Sequence, residues 1–396
     1  MTALVAYTSS FAVVLEGLRS VGATESEAAS GLTALALAMG LGTVALAVVY
    51  RRPITMAWST PGAALLATSA MPHGGFAVAT GSFVIAGILF AITGAVRPLA
   101  RAVRMIPAEV AQAMLAGVLL QLCTAPFTGL GHNFMSVGPV VLVWLLLWRW
   151  LPRWAVPGAF AAALIEMWAR GAFALITPRD LQPSLHWVTP QVSVEALLAI
   201  ALPLYVVTMT SQNIPGVSVM SALGWKVPFA PAMIVGGAGT VIAAPFGGHS
   251  VNLSAIAAAL DAGEEAGADR SRRWIAAVTT GGSYVLLGVF APLVVLVAAR
   301  AQEGVLPAIA GLALLGSLAS SLRHAVLDCD DPLPAIVTFA CAASGLSVGG
   351  VGSAFWALGA GIIVHGLSLT RGPWTLGRVL PKDTNPSDSP EVISAK

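Results

Sequence analysis

Four short stretches hold most of the polar side chains that could do chemistry inside a strongly apolar chain. They are "YTSS" (7–10), "MAWSTPGAAL" (56–65), "TSQNIPG" (210–216) and "APFGGHSVNLSAIAAAL" (244–260). Tyr7, Ser9, Ser10, Ser59, Thr60, Ser211, Gln212, Asn213, His249 and Asn252 are all neutral donors or acceptors, and no lysine or arginine lies among them. Such a set suits a ligand held by hydrogen bonds and backbone dipoles. His249 can donate to a carboxylate or carry a proton near neutral pH; the competing reading is a packed histidine that stabilises a broken helix. The Gln212 and Asn213 amides can meet a carboxylate or satisfy backbone groups freed by Pro215. Asn252 can bind or cap, and Tyr7 and Ser10 can bind or bond a neighbouring helix. Gly247 and Gly248 permit close backbone approach. Trp58 and Phe246 flank two helix starts and could sandwich an aromatic ring; for Trp58 plain packing is the alternative.

The acids nearest to membrane depth are read as Glu16 and Glu166. Glu166 has Arg170 four residues on, which favours a structural pair. Glu16, close to Arg19, is a candidate for proton handling or for snorkelling to the interface. No nucleotide-binding loop, nucleophile elbow or metal-ligand spacing is present, so neither an enzyme nor a cofactor is expected. Cys123, Cys329 and Cys341 read as small packed residues, and His324 with "DCDD" (328–331) as a solvated loop.

These residues need elements to hold them. The chain is 57% hydrophobic and 10% charged, against about 25% charged in soluble domains. Apolar runs near membrane length recur throughout, so the class is an all-α polytopic membrane protein. There is no basic block, which argues against nucleic acid. The first segment has no basic leader and reads as a retained span; it begins almost at Met1, leaving a start further upstream open.

Fourteen segments are expected: 2–19, 28–50, 54–70, 76–96, 108–125, 135–150, 154–176, 193–213, 228–244, 245–261, 273–299, 306–323, 332–348 and 353–371. With a cytoplasmic N-terminus, 16 Lys/Arg fall on the cytoplasmic side and 4 on the other, which supports count and orientation with both termini inside. "RPLARAVRMIP" (97–107) reads as a basic amphipathic linker. Fourteen divides into two sevens, and seven is odd, so the halves would be inverted repeats. The loop 170–195 joins them, and the tail 372–396 is polar and expected to be disordered.

The third segment of each half is broken in the same way. Each opens with short extended character and then offers a helix start: Thr60, with Ser59 beside it, as cap and Pro61 following, and Ser250 as cap. About ten helical residues follow in each, near 15 Å, or half the hydrocarbon thickness. Paired half-helices at corresponding repeat positions point to a transporter's binding site, with N-termini facing an anion.

"PITMAWSTPGAALL" (53–66), "SQNIPGVSVMSALG" (211–224) and "APFGGHSVNLSAIAAA" (244–259) resemble the benzoate/proton symporter (BenE) family, over nearly the whole chain. The family belongs to a larger group with nucleobase-cation symporters and sulfate permeases. The resemblance implies fourteen spans in two inverted repeats, with a core domain of spans 1–4 and 8–11 (1–96 and 193–299) and a gate domain of spans 5–7 and 12–14 (108–176 and 306–371). It further implies a substrate between spans 3 and 10, elevator-type import of an aromatic carboxylate with protons, a bacterial cytoplasmic membrane and, by analogy, a homodimer through the gate. Nucleobase relatives carry a glutamate on span 8 where this chain has Ser211, Gln212 and Asn213. Loss of that negative charge fits an anionic substrate. Glu16 departs from the neutral residue more usual in the family, so the proton site stays open between His249 and Glu16. Another anion, a nucleobase or an anion channel on the same fold are the remaining readings.

Overall fold

The computed structural model describes residues 2–172, 182–183, 185–327, 331–348 and 351–369. The chain begins with α1 (Thr2–Ser20) and α2 (Glu25–Tyr50). Thr24 starts α2 with a reciprocal cap: its hydroxyl accepts from the Glu27 N–H, and the Glu27 carboxylate accepts from the Thr24 N–H. The short strand β1 (Met56–Trp58) and the half-helix α3 (Thr60–Ala67) follow, then α4 (Phe76–Ala95). The basic linker forms α5 (Arg97–Arg104). Next come α6 (Ala108–Cys123), α7 (Ala125–His132), α8 (Phe134–Trp150) and α9 (Ala155–Ala169).

The rod Val194–Ala222 contains α10 (Val194–Ala196), α11 (Leu202–Thr208) and α12 (Ile214–Ala222). Its three pieces are joined by π-turns at Leu197–Ala201 and Met209–Asn213. Then come α13 (Phe229–Ala243), β2 (Val251–Leu253) and a second half-helix, α14 (Ala255–Ala262). The chain continues with α15 (Trp274–Val289), α16 (Ala291–Arg300), α17 (Val305–Val326), α18 (Leu333–Ala343) and α19 (Ser353–Leu369).

Among the described residues, six helices are long and apolar enough to cross a membrane by themselves. Arg270–Val289 with Ala291–Arg300, bent by 54°, makes a seventh. The single segment expected over 273–299 is therefore bent. Pro292 lies in the first turn of α16, where it cannot donate a hydrogen bond back to the preceding helix. The protein is an integral, multi-pass membrane protein.

The most extensive helix pairings fall in two groups. α13 packs on α4, α15 on α2 and α1 on α3; separately, α17 and α18 pack on α6, α19 on α18 and α8 on α9. Small residues allow the tight contacts. A Cβ on Gly87 would sit 2.9 Å from the Gly237 carbonyl oxygen, and one on Gly237 would sit 2.5 Å from that of Gly87. The α4–α13 contact is thus backbone on backbone, the close approach that membrane helices use where lipid supplies no hydrophobic drive. Side chains such as Phe11, Leu15, Phe83 and Phe90 are almost wholly buried. By contrast Leu145, Leu146, Trp148 and Trp150 of α8 are exposed, as a lipid-facing helix requires. The predicted tail 372–396 and Cys329 lie outside the described residues.

Candidate functional site

The two extended stretches find each other. β1 and β2 pair antiparallel, with Met56 opposite Leu253, Ala57 opposite Asn252 and Trp58 opposite Val251. Three residues a side is a short ladder, so its ends are secured from outside. The Ser59 N–H donates to the Ser250 carbonyl (3.3 Å) and the Ser254 N–H to the Thr55 carbonyl (2.9 Å). The outer backbone donors meet threonines: Met56 N–H bonds Thr43 Oγ1 of α2, and Val251 N–H bonds Thr240 Oγ1 of α13, both at 2.9 Å. Non-helical backbone at membrane depth must be satisfied by protein, and here two threonines on neighbouring helices do it.

Each strand runs directly into a capped half-helix. Ser59 Oγ accepts from Gly62 N–H and Ser254 Oγ from Ala257 N–H, each at 3.0 Å. The caps are thus Ser59, expected beside Thr60, and Ser254; Thr60 and Ser250 are corrected. Thr60 is already the first helical residue, with Pro61 behind it. Ser250 precedes the strand, and its hydroxyl has no partner. Asn252 lies inside the strand and caps nothing; its amide donates to the Leu253 carbonyl (2.7 Å).

The first turns of both half-helices open onto one cavity of about 110 Å³. Thr60 and Pro61 line it from α3, and Ser254 and Ala257 from the start of α14. Tyr7 and Ser10 enter from α1, Trp58 from β1, Gln212 from the π-turn and Tyr284 from α15. A π-turn shifts the helical register by one residue, and such turns recur at functional sites. The Tyr7 and Tyr284 hydroxyls are buried without a hydrogen-bond partner. Unpaired buried hydroxyls are costly, so two at one cavity mark where a ligand's acceptor would lie. No lysine, arginine, aspartate or glutamate lines this space.

Trp58 forms a wall. Its ring centroid is 4.9 Å from that of Tyr7, and its indole N–H donates to Ser10 Oγ at 2.8 Å. Ser10 in turn donates to the Ala6 carbonyl, so its only proton is committed and it has none to offer a carboxylate.

The remaining expected contacts do not line the cavity. His249 is fully buried, and its Nε2 lies 3.0 Å from the Ser59 carbonyl. A carbonyl only accepts, so Nε2 carries the proton in this bond. The ring packs edge-on to Phe83, and Nδ1 has no partner. Asn213 is a stitch: its Oδ1 accepts from Leu253 N–H (2.9 Å). The Ser211 hydroxyl turns back to Val207 on its own helix. Phe246 does not face Trp58 as a second aromatic wall; it meets Trp187 edge-on. Gly247 holds φ 93°, a left-handed turn that glycine adopts at no steric cost. Gly248 follows in the same turn, and the Val188 N–H donates to the Pro245 carbonyl just before it (2.7 Å).

Glu16 is half-buried on α1 and lines neither this cavity nor the larger one described next. Its neighbour Arg19 pairs with Glu25 instead. Glu166 pairs with Arg170, as the spacing predicts. Three contributors went unread in the sequence: Tyr284, Ser254 and the acid Asp261, which is only 2% exposed. Asp261 sits at the seam between an apolar run and "GEE", where an acid looks like the start of a loop. Beyond Ser9, which borders both spaces, lies a larger cavity of about 850 Å³. It is lined by Thr2, Arg153, Pro157, Asp261 and Thr280 among others.

Comparison with known proteins gives consistent results. The family model described as "Benzoate membrane transport protein" matches residues 1–367. The chain is 38% identical over 368 residues to inner membrane protein YdcO of Escherichia coli, covering 92% of this chain and 93% of that one. It is 27% identical over 366 residues to the benzoate membrane transport protein of Acinetobacter baylyi, covering 92% of each. Among solved structures, the transmembrane domain of a cyanobacterial bicarbonate transporter, BicA, is similar with a TM-score of 0.53 and 15% identity, over 91% of this chain and 96% of that one. SLC26A9 is similar with a TM-score of 0.59 and 14% identity, over 92% of this chain and 64% of that one. At such identities the likeness carries the fold.

Proposed function

Because the chain belongs to the benzoate membrane transport protein (BenE) family and is a membrane transporter rather than an enzyme, we propose that it imports benzoate or a similar aromatic carboxylate together with protons. The observation that carries this reading is the convergence, on one uncharged cavity, of two half-helix starts and two unpartnered tyrosine hydroxyls. Helix N-termini present free N–H groups and the positive ends of their dipoles. A carboxylate accepts up to about four hydrogen bonds, and the Tyr7 and Tyr284 hydroxyls with the Gln212 amide are suitable donors. Trp58 and Tyr7 offer ring faces, and Met39, Ala57 and Ala257 complete an apolar rim. An apolar protein cavity of roughly 150 Å³ accepts benzene; at about 110 Å³ the space here is smaller, so a benzoate requires the lining side chains to move apart as it binds.

In this reading His249, Asn213 and Ser59 are positioning residues: they hold the break from which the half-helix starts project. Fourteen spans in two inverted repeats form a core that slides against a gate. The larger cavity, which lies between α1, α14 and α15 on one side and Pro152–Pro157 on the other, is the cytoplasmic vestibule of an inward-facing state. The location is a bacterial inner membrane, with both termini cytoplasmic and homodimers paired through the gate.

The test is the initial rate of labelled benzoate uptake into proteoliposomes with an inward proton gradient. Protein-free vesicles are subtracted, because benzoic acid crosses bilayers unaided. Uptake should saturate and fall when a protonophore collapses the gradient. Equal uptake after collapse would remove proton coupling, displacement by pyrimidines would shift the substrate toward nucleobases, and non-saturating current would indicate a channel.

A further inference from the structure

Asp261 is buried at the far end of the half-helix whose start borders the substrate cavity. Its Oδ2 accepts from Thr55 Oγ1 (2.8 Å), just before β1, and its Oδ1 from Thr280 Oγ1 (3.0 Å) of α15. Among the described residues it has no salt-bridge partner. An acid buried deep in a membrane protein is costly to keep unless it has a use. Its cradle is made of hydroxyls, which can turn from donor to acceptor. The same two threonines can therefore serve the ionised and the protonated carboxyl.

The surroundings are those of a group that exchanges protons with water. Asp261 lines the larger cavity together with Thr2 and Ser9 from α1, Thr279 and Ser283 from α15, and Arg153 from the turn before α9. Tyr284 of α15 is within electrostatic reach of it. Arg273 is engaged next to it by the carbonyls of Ala262 and Gly267. Glu264 is exposed in the following turn, and Glu16 of α1 lines neither cavity. β1 and α12, which also pack on α14, bring no titratable side chain. α14 is eight residues long, so its two ends are about 12 Å apart. An anion at its start and a proton near its end would act on one helix, and a ligand at either end would favour the other. The counterpart position in α3 is Leu66, so only one half-helix offers this second site.

We infer that the Asp261 carboxyl, cradled by Thr55 and Thr280 and reached from the larger cavity, carries the proton that moves with the substrate. The inference rests on the proton-coupled reading above. The experiment uses the full chain in proteoliposomes and compares wild type, Asp261→Asn, Asp261→Glu and the double variant Thr55→Val/Thr280→Val. Two rates are read, both corrected for protein-free vesicles: benzoate counterflow at equal pH, and the stimulation of benzoate entry by an inward gradient.

With one proton per substrate, a gradient of one pH unit shifts the accumulation equilibrium of wild type by about tenfold. Asp261→Asn should lose this stimulation, to a ratio of about 1, while keeping counterflow. Asp261→Glu should keep the stimulation, and the double variant should keep it with a displaced pH profile. Wild-type stimulation that survives in Asp261→Asn would overturn the inference and leave proton coupling standing. Counterflow lost equally in Asp261→Asn and in the double variant would overturn it too, because the carboxyl would then be only a clasp. Absence of gradient stimulation in wild type would sink the coupled reading itself.

Discussion

The two broken segments share a design and differ in what surrounds it. Each is a three-residue strand followed at once by a capping serine and an eight-residue half-helix. Each strand hangs its outer N–H on a threonine of the preceding long helix. The first half adds little else: Ile54 precedes its strand and Leu66 sits near its end, both buried. The second half puts His249 and Asp261 at those places. His249 reaches across to the Ser59 carbonyl, and Asp261 reaches across to Thr55. Both of its polar additions are therefore bonded to the first half. The comparison teaches that the framework is duplicated while the polar investment is one-sided, and that it fastens one break to the other.

The largest effect on this comparison is expected where the halves meet the ligand. Tyr7→Phe with Tyr284→Phe removes one hydroxyl from each side of the cavity and little volume. Each hydrogen bond to a charged group contributes about 1.5–3 kcal/mol, so kcat/KM for benzoate should fall by two orders of magnitude or more, with thermal stability unchanged or raised. Unchanged uptake would place the carboxylate elsewhere. Gln212→Ala alone should weaken benzoate binding by about ten- to a hundredfold, on the same accounting for one donor, read by titration calorimetry in detergent.

Gly247→Ala tests the left-handed turn before the second break; before the first, Arg51 holds that conformation (φ 50°). The alanine would hold a left-handed conformation at a cost of about 1–2 kcal/mol, and its Cβ would also meet the Glu27 carbonyl oxygen at 3.0 Å. A lowered melting temperature in a thermal-shift assay is the expected result. Ser59→Ala and Ser254→Ala compare the caps directly. Losing a cap costs about 1 kcal/mol; Ser59 should cost more, because its hydroxyl also accepts from Thr208 (2.8 Å). Equal losses would mean that this cross-helix bond contributes nothing. The smallest effect is expected for His249→Gln, which can still donate toward Ser59: a stability loss within about 1 kcal/mol and near-native benzoate affinity. A large affinity loss there would return His249 to the binding shell.

Part of this was legible in the chain. Proline and glycine beside Ser59 and Thr60 announce a break, because they combine a cap with a residue that lacks an N–H. The second break was legible as a place but displaced by four residues at its cap. "HSVNLSA" offers Ser250, Asn252 and Ser254 in succession, and only strand pairing decides which of them precedes the helix. That pairing joins positions far apart in the chain, which local propensity cannot see. Tyr284 was invisible for another reason: a tyrosine in an apolar span also suits the membrane interface. The wall made by Trp58 and Tyr7 needed coordinates, because a ring contact between α1 and β1 leaves no periodic trace. His249 stood out in sequence for its polarity, and its burial against Ser59 shows that polarity in the wrong solvent can mark a joint as readily as a ligand contact.

The β1–β2 ladder also bears on what changes the chain can tolerate. Side chains in a strand alternate faces, so inserting or deleting one residue would turn Trp58 away from Tyr7 and carry Asn252 out of its place opposite Ala57. A shift in β1 would also unhook Met56 from Thr43, and one in β2 would unhook Val251 from Thr240. Across natural variation these stretches should therefore accept substitutions far more readily than changes of length.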